Sequence, residues 1–252
     1  MKKLFIIGAQ RSGSTYLYHI LDEHPEVIMA RPIRPEPKFF LNDSLFKKGR
    51  TFYEDTYFNG HDGAVKYIGE KSTSYIENKL AAKRIHQYYP DARILITLRN
   101  PVIRAYSNYN FSVANQLENL TFKDALDAEK SRLSSKSFVT SVNPYAYRKR
   151  GYYIEYIEAW LSIFDADQIK ILICEEFACD LKKIQQIYHF LEIDENYEPS
   201  SLWKIHNPTN KTEQDLSESF RSLAQGYFES LNRLESLLGR KIDIWHQHWS
   251  EL

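Results

Sequence analysis

The stretch Leu4-Phe-Ile-Ile-Gly-Ala-Gln-Arg-Ser-Gly-Ser-Thr-Tyr-Leu-Tyr-His-Ile-Leu21 decides how the rest of the chain is read. Leu4 to Ile7 is an apolar run with the length of one buried strand, and from Ser14 onward Leu17, Ile20 and Leu21 recur at helical spacing. Gly8 and Gly13 bracket a tight turn between them. A strand, a glycine-containing loop and a helix N-terminus together hold a phosphate-like anion. Successive backbone N–H groups point into the loop, and the helix dipole favours negative charge there. Ser12, Ser14 and Thr15 add hydroxyl donors, and Arg11 adds a fixed positive charge with a fork of donors.

The two glycines have the spacing of the Walker A loop, but Ser14 stands where its lysine belongs and Thr15 where its Ser/Thr belongs. Without that lysine, and with Arg11 inside the loop, a Mg-nucleotide triphosphatase is a poor fit.

Moving outward, His24–Ala30 reads as a turn into a short strand, and three prolines make 31–37 an irregular loop that closes on Glu36-Pro-Lys-Phe-Phe40. Residues 42–65 read as short helices and loops, Tyr67–Glu70 as a strand and Lys71–Tyr75 as a loop. A helix over Ala81–Tyr89 is stopped by Pro90, and Ala92–Leu98 is the clearest strand. Pro101 opens a helix to about Gln116, and Thr121 caps another to Lys130. Serine-rich 131–141 reads as a surface loop, Tyr145–Phe164 as one long helix and Ile169–Cys174 as a strand. Helices follow over 180–191 and 213–238, the latter capped by Gly239. Alternating strands and helices predict an α/β fold in three layers, a mainly parallel central sheet with helices on both faces. Ligands of such sheets sit beyond the carboxyl ends of the strands, where 8–15, 36–40, 70–75 and 99–107 fall. No repeat or linker divides the 252 residues, so a single domain over 1–252 is expected.

Formal net charge is zero, which argues against nucleic acid as a partner and makes any anion site a local one. Cys174 and Cys179 are too few for a disulfide scaffold, and their spacing matches no metal motif. No apolar run reaches about 18 residues, and the run after Met1-Lys-Lys is too short for a signal-peptide core. These features predict a cytoplasmic protein of prokaryotic type with no transmembrane segment. The 18 tyrosines are read mostly as core and rim residues.

In Arg93-Ile-Leu-Ile-Thr-Leu-Arg99-Asn-Pro-Val-Ile-Arg104-Ala-Tyr-Ser107, a strand delivers Arg99 to the sheet edge, and Ser107 follows two turns into the next helix. An arginine and a hydroxyl so placed can hold a dianionic phosphate by charge-assisted hydrogen bonds.

Arg11-Ser-Gly-Ser-Thr15 resembles the 5′-phosphosulfate loop of sulfotransferases that use 3′-phosphoadenosine 5′-phosphosulfate (PAPS), in the Arg-Ser-Gly form of the protein-tyrosine branch. Arg99 and Ser107 are similar to that family's 3′-phosphate motif. Glu36-Pro-Lys-Phe-Phe40 resembles the Glu-x-His-Phe-Phe stretch of the glycosaminoglycan branch, with Lys38 in place of the histidine, and Glu70-Lys71-Ser72 resembles its Glu-Lys-[ST]-Pro segment without the proline. The resemblance implies a P-loop NTPase-like fold and sulfuryl transfer from PAPS to an acceptor hydroxyl, on a carbohydrate, a lipid or a small natural product. It implies Glu36 as general base, with Lys71 and Arg11 at the transferred group and no metal. For the co-substrate it implies contacts from Arg11, Ser12, Gly13, Ser14, Thr15, Arg99 and Ser107. More weakly it adds Tyr16 at adenine, Arg150 and Tyr152 of an Arg-x-Gly-x-Tyr-like segment, and Lys211 of the 206–212 loop. His24 is read as structural. Two other classes stay open from the residues alone: a nucleotide-dependent kinase with an altered P-loop, and a non-catalytic nucleotide-binding module. The acceptor and the oligomeric state are not legible.

Overall fold

The N-terminal apolar run forms strand β1 (Lys2–Gly8), and the helix expected from Ser14 is α1 (Ser14–Asp22). The structure, a computed structural model, describes residues 1–58, 65–134, 143–204 and 216–252. In chain order there follow β2 (Val27–Met29), α2 (Asp43–Phe46), α3 (Gly49–Tyr57), β3 (Tyr67–Lys71), α4 (Lys79–Tyr88) and β4 (Arg93–Leu98). Then come α5 (Pro101–Ala114), α6 (Phe122–Leu133), α7 (Tyr153–Leu161), β5 (Ile169–Ile173), α8 (Cys174–Phe177), α9 (Leu181–Leu191), α10 (Ser217–Leu238) and α11 (Asp243–Ser250). The chain divides into two compact units, Met1–Leu98 with Tyr156–His206, and Arg99–Glu155 with Asn207–Leu252.

The first unit carries a five-stranded sheet of order β2-β3-β1-β4-β5, with every neighbouring pair parallel. β1 lies at its centre, Leu4 opposite Gly69 of β3 on one side and Arg93 of β4 on the other. Alternate side chains of a strand face opposite ways. Leu4 and Ile6 join the cluster built on α1 and α9, through Leu17, Leu21, Ile184 and Tyr188. Phe5 packs instead on Phe40 and Tyr89, with ring centroids 5.7 and 6.1 Å away. A strand buried on both faces reads as an unbroken apolar run, which is why β1 and β4 were so plain in the sequence.

Beyond its last strand residues, β3 stays tied to β1. The amide of Ser72 donates to the Ile6 carbonyl at 3.1 Å and that of Ile76 to Ile7 at 2.9 Å. The segment 72–76 is therefore a ledge fastened beside the loop that leaves β1.

In the second unit, Asn100 caps α5 by accepting from the Val102 amide, with Pro101 in the first turn, and Thr121 caps α6 by accepting from the Asp124 amide. Val102, Ala105 and Tyr106 pack with Phe122, Leu126, Tyr147, Leu223 and Tyr227. The single helix expected over Tyr145–Phe164 is a 3₁₀ turn at Lys149–Gly151 followed by the shorter α7. Two tertiary contacts cause the break. The Glu129 carboxylate takes the amides of Arg148 and Lys149 at 2.6 and 2.9 Å. Gly151 lies against Tyr227, where a methyl group would come within 2.5 Å of the ring. The tip of the serine-rich loop (135–141), the 206–212 loop with Lys211, and the expected helix start at 213–215 lie outside the described residues.

Candidate active site

Three loops are built at the carboxyl edge of the first unit's sheet. In the first, Arg11 (φ 67°) and Gly13 (φ 81°) are left-handed on either side of Ser12. Such curled backbone forms the concavities that bind anions. Ser12 is fully buried, and its Oγ has no hydrogen-bond partner among the described residues. An orphaned buried hydroxyl calls for an explanation, and an oxyanion in the loop supplies one. No side chain caps α1, and its first turn holds no acidic residue, so its N-terminal amides remain available to a negative group. Behind the loop stands Cys174, whose Sγ lies 2.7 Å from where a Gly13 Cβ would be.

The second loop ends in Glu36-Pro-Lys-Phe-Phe40, and the third is the 70–76 ledge. Glu36 accepts from the Lys71 ammonium at 2.5 Å, from the Thr73 amide at 3.0 Å and from the Thr73 hydroxyl at 3.1 Å. Lys71 is only 4% exposed, whereas Glu36 keeps 15% of its side chain open. Below them Glu70 is fully buried and accepts the hydroxyls of Tyr53, Ser72 and Tyr75 at 2.6, 2.5 and 2.6 Å. Burial pushes its carboxyl up, against the pull of those three hydrogen bonds. Gln10 of the first loop donates to the Ser74 hydroxyl at 3.2 Å, which joins the anion loop to the ledge. The structure thus brings Glu36 and Lys71 into contact on a platform bonded to the 8–15 loop. Thr73, Glu70, Ser72 and Tyr75 had no assigned role in the sequence; the only signal was a run of hydroxyls after Glu-Lys.

Tyr16 is a core residue. It is 5% exposed, its ring leans on Phe177, and its hydroxyl donates to the Leu202 carbonyl while accepting from the Cys179 amide. Burial pushes this phenol up to about 12. Its ring and hydroxyl are thus both engaged within the fold. His24 is structural, as expected: one ring nitrogen accepts from the Glu26 amide, and the other donates to the Asp194 carbonyl.

Within the second unit, Arg99 directly precedes the capped start of α5, and Ser107 is buried two turns along that helix. The Arg99 carbonyl accepts from the Tyr153 hydroxyl at 2.7 Å, which draws the 99–107 and 150–153 segments together. Arg150 is nearly buried and donates to the Asn143 carbonyl at 2.8 Å, while the Tyr152 ring packs on Tyr227.

A family model described as "Sulfotransferase domain" matches residues 1–230. The chain belongs to the sulfotransferase family. Among its relatives, bifunctional heparan sulfate N-deacetylase/N-sulfotransferase 1 of Mus musculus is 32% identical over 179 residues, 68% of this chain and 19% of that protein. The Drosophila melanogaster bifunctional enzyme is 26% identical over 216 residues, 77% of this chain and 20% of that protein. This sulfotransferase therefore spans about a fifth of the length of the curated relatives it matches. A solved sulfotransferase from Alicyclobacillus acidocaldarius has a TM-score of 0.80 at 26% identity, covering 98% of this chain and 99% of that one. A mouse sulfotransferase complexed with PAP shares the fold at 15% identity, with a TM-score of 0.57 over 97% of this chain and 87% of that one. The family is one of enzymes that transfer a sulfuryl group. No described helix is long and apolar enough to cross a membrane.

Proposed function

We propose that the sulfuryl donor is PAPS and that Glu36 is the general base that deprotonates the acceptor. The observation that carries this is the Glu36 carboxylate itself: partly open, held by Lys71 and Thr73, and set on the ledge that Gln10 ties to the anion loop. A neutral alcohol is a weak nucleophile near pH 7, so transfer needs a base within hydrogen-bond reach of the attacking atom. Glu36 takes the proton as that atom attacks sulfur and adenosine 3′,5′-bisphosphate leaves. Arg11 and Lys71 meet the sulfuryl oxygens and the charge growing on the leaving phosphate, a role that depends on their being fixed beforehand. The orphaned Ser12 hydroxyl and the amides of Gly13, Ser14 and Thr15 fit the 5′ end of such a donor, and no metal is invoked. Arg99 and Ser107 are assigned to the 3′-phosphate from their motif, where they would orient the donor rather than do chemistry; Arg150, Tyr152 and Lys211 are secondary candidates.

The whole of 1–252 is read as one sulfotransferase domain of a cytoplasmic enzyme, in keeping with the thiols at Cys174 and Cys179. The acceptor class we favour is carbohydrate. Glycosaminoglycan-like residues around Glu36 support it, and the relatives' names admit an amine nitrogen beside a hydroxyl oxygen.

The test is Glu36→Gln, assayed with radiolabelled PAPS. The acceptor panel comprises heparan sulfate stripped of N-acetyl groups, the intact polysaccharide, simple sugars and a phenol. Affinity for adenosine 3′,5′-bisphosphate should stay unchanged while turnover falls about 10²–10⁴-fold, the contribution of a positioned base. Unaltered turnover removes Glu36 from the mechanism.

A further inference from the structure

Glu70 is a fully buried carboxylate that the proposed chemistry does not use. Its surroundings say what it does. The amide of Lys38 donates to the Ser72 hydroxyl at 2.9 Å, and the amide of Phe40 donates to the Tyr75 hydroxyl at 3.2 Å. A hydroxyl has one proton, so each of these, already accepting from an amide, has its own proton to place elsewhere. Both place it on Oε1 of Glu70, at 2.5 and 2.6 Å, while Tyr53 fills Oε2 at 2.6 Å. Distances of this size mark all three hydroxyls as close donors to the carboxyl group. Only an acceptor-only group can take all three; an amide in its place would turn a donor toward at least one of them.

The two amides belong to the loop that carries Glu36. Lys38, which supplies the first of them, is a non-glycine residue held in the left-handed region at φ 47°, a conformation that persists only where its surroundings impose it. Lys38 also opens the 3₁₀ turn Phe39–Leu41, whose Phe39 and Phe40 are fully buried against Tyr53. The loop is thus held by its apolar end and, two and four residues after Glu36, by a pair of hydroxyl relays that converge on one carboxylate.

We propose that Glu70 is a positioning residue for the base: through the Ser72 and Tyr75 hydroxyls it fixes the backbone at Lys38 and Phe40 and so aims Glu36 at Lys71 and Thr73. This rests on the reading of Glu36 as general base, and the experiment separates the two claims. Wild type, Glu70→Ala, Glu36→Gln and the double variant are compared by three measurements. These are hydrogen exchange of the Lys38 and Phe40 amides in the ligand-free protein, calorimetric affinity for adenosine 3′,5′-bisphosphate, and kcat and KM with PAPS and the best acceptor of the panel above.

Both relays end on Oε1, which a glutamine would still offer as a carbonyl oxygen, so the carboxylate is removed outright: Glu70→Ala should speed exchange at both amides and lower kcat by at least about tenfold, since small misplacements of a reacting group carry penalties of that order or more. The nucleotide affinity should not move. In the Glu36→Gln background the same change should cost nothing further, because its route to the chemistry is already cut. Ser72→Ala and Tyr75→Phe remove one relay each and guard against a Glu70 variant that fails to fold. The first should speed exchange at Lys38 alone and the second at Phe40 alone, by roughly three- to tenfold, the worth of one neutral hydrogen bond. Unchanged exchange in these relay variants overturns the proposal, as does a Glu70→Ala enzyme with full kcat beside an impaired Glu36→Gln. A fully active Glu36→Gln enzyme refutes the base reading, and exchange at Lys38 and Phe40 then still decides the positioning claim.

Discussion

Gly13→Ala tests whether the anion loop needs glycine for its backbone, for its space, or for both. At φ 81° an L-residue pays about 1–2 kcal/mol for left-handed backbone. The added methyl would lie 2.7 Å from the Cys174 sulfur, and forcing such an overlap in a packed site costs about 1–3 kcal/mol more. The single variant should therefore lose about 2–5 kcal/mol in all. The next nearest atoms, Phe177 Cζ and Cys174 Cβ, are 3.5 and 3.7 Å away and tolerate the methyl. Cys174→Ala should thus remove the steric share and leave the conformational one. Alone it costs about 1 kcal/mol for the lost packing atom. The measurement is a double-mutant cycle by urea unfolding, with equal m-values required before midpoints are compared. Adenosine 3′,5′-bisphosphate binding is followed in parallel. The expected coupling is about −1 to −3 kcal/mol, the two changes together costing less than their sum. Simple additivity would refute the steric half of the argument.

Three further outcomes are expected. Lys3 is 5% exposed, with its ammonium 4.3 Å from the Phe58 ring centre and 3.5 Å from Glu54, and burial pulls it down to about 8. A lysine lowered in the fold binds fewer protons there than in the unfolded chain between that value and its ordinary one. Stability should accordingly rise by about 2 kcal/mol from pH 8 to near pH 10, and Lys3→Met should flatten the rise in urea titrations across that range. Arg99→Ala should weaken adenosine 3′,5′-bisphosphate by about 1.5–3 kcal/mol in calorimetry, and an equal loss for plain AMP would tell against a 3′-phosphate contact. Gly151→Ala should destabilise by about 1–3 kcal/mol through collision with Tyr227, and Tyr227→Leu should recover part of the loss.

The strands were legible because burial on both faces leaves an unbroken apolar run, and α5 was legible because Asn100-Pro101 is a local start signal that nothing tertiary overrides. The break before α7 was not, since its causes are a carboxylate nineteen residues upstream and the ring of Tyr227. The same division runs through the site. Arg11, Glu36 and Lys71 announce themselves by charge within short motifs. Thr73, Ser72 and Tyr75 are ordinary polar residues until the 36–40 loop folds onto them. Tyr16 is the reverse case: its likeness to a family aromatic at adenine is a local signal, whereas its packing on Phe177 and its bond to the Leu202 carbonyl are tertiary.

The amides of Ser72 and Ile76 extend the central ladder of the sheet past the end of β3. The floor on which Glu36 rests is therefore bonded into the sheet rather than laid over it. For directed evolution this divides the chain into frozen and mutable ground. A library randomised over 70–76 spends its diversity on residues bonded to one another and yields mainly collapsed sites. Exposed Arg34 and Pro35, on the same loop as the base but outside that lattice, are the positions to vary first.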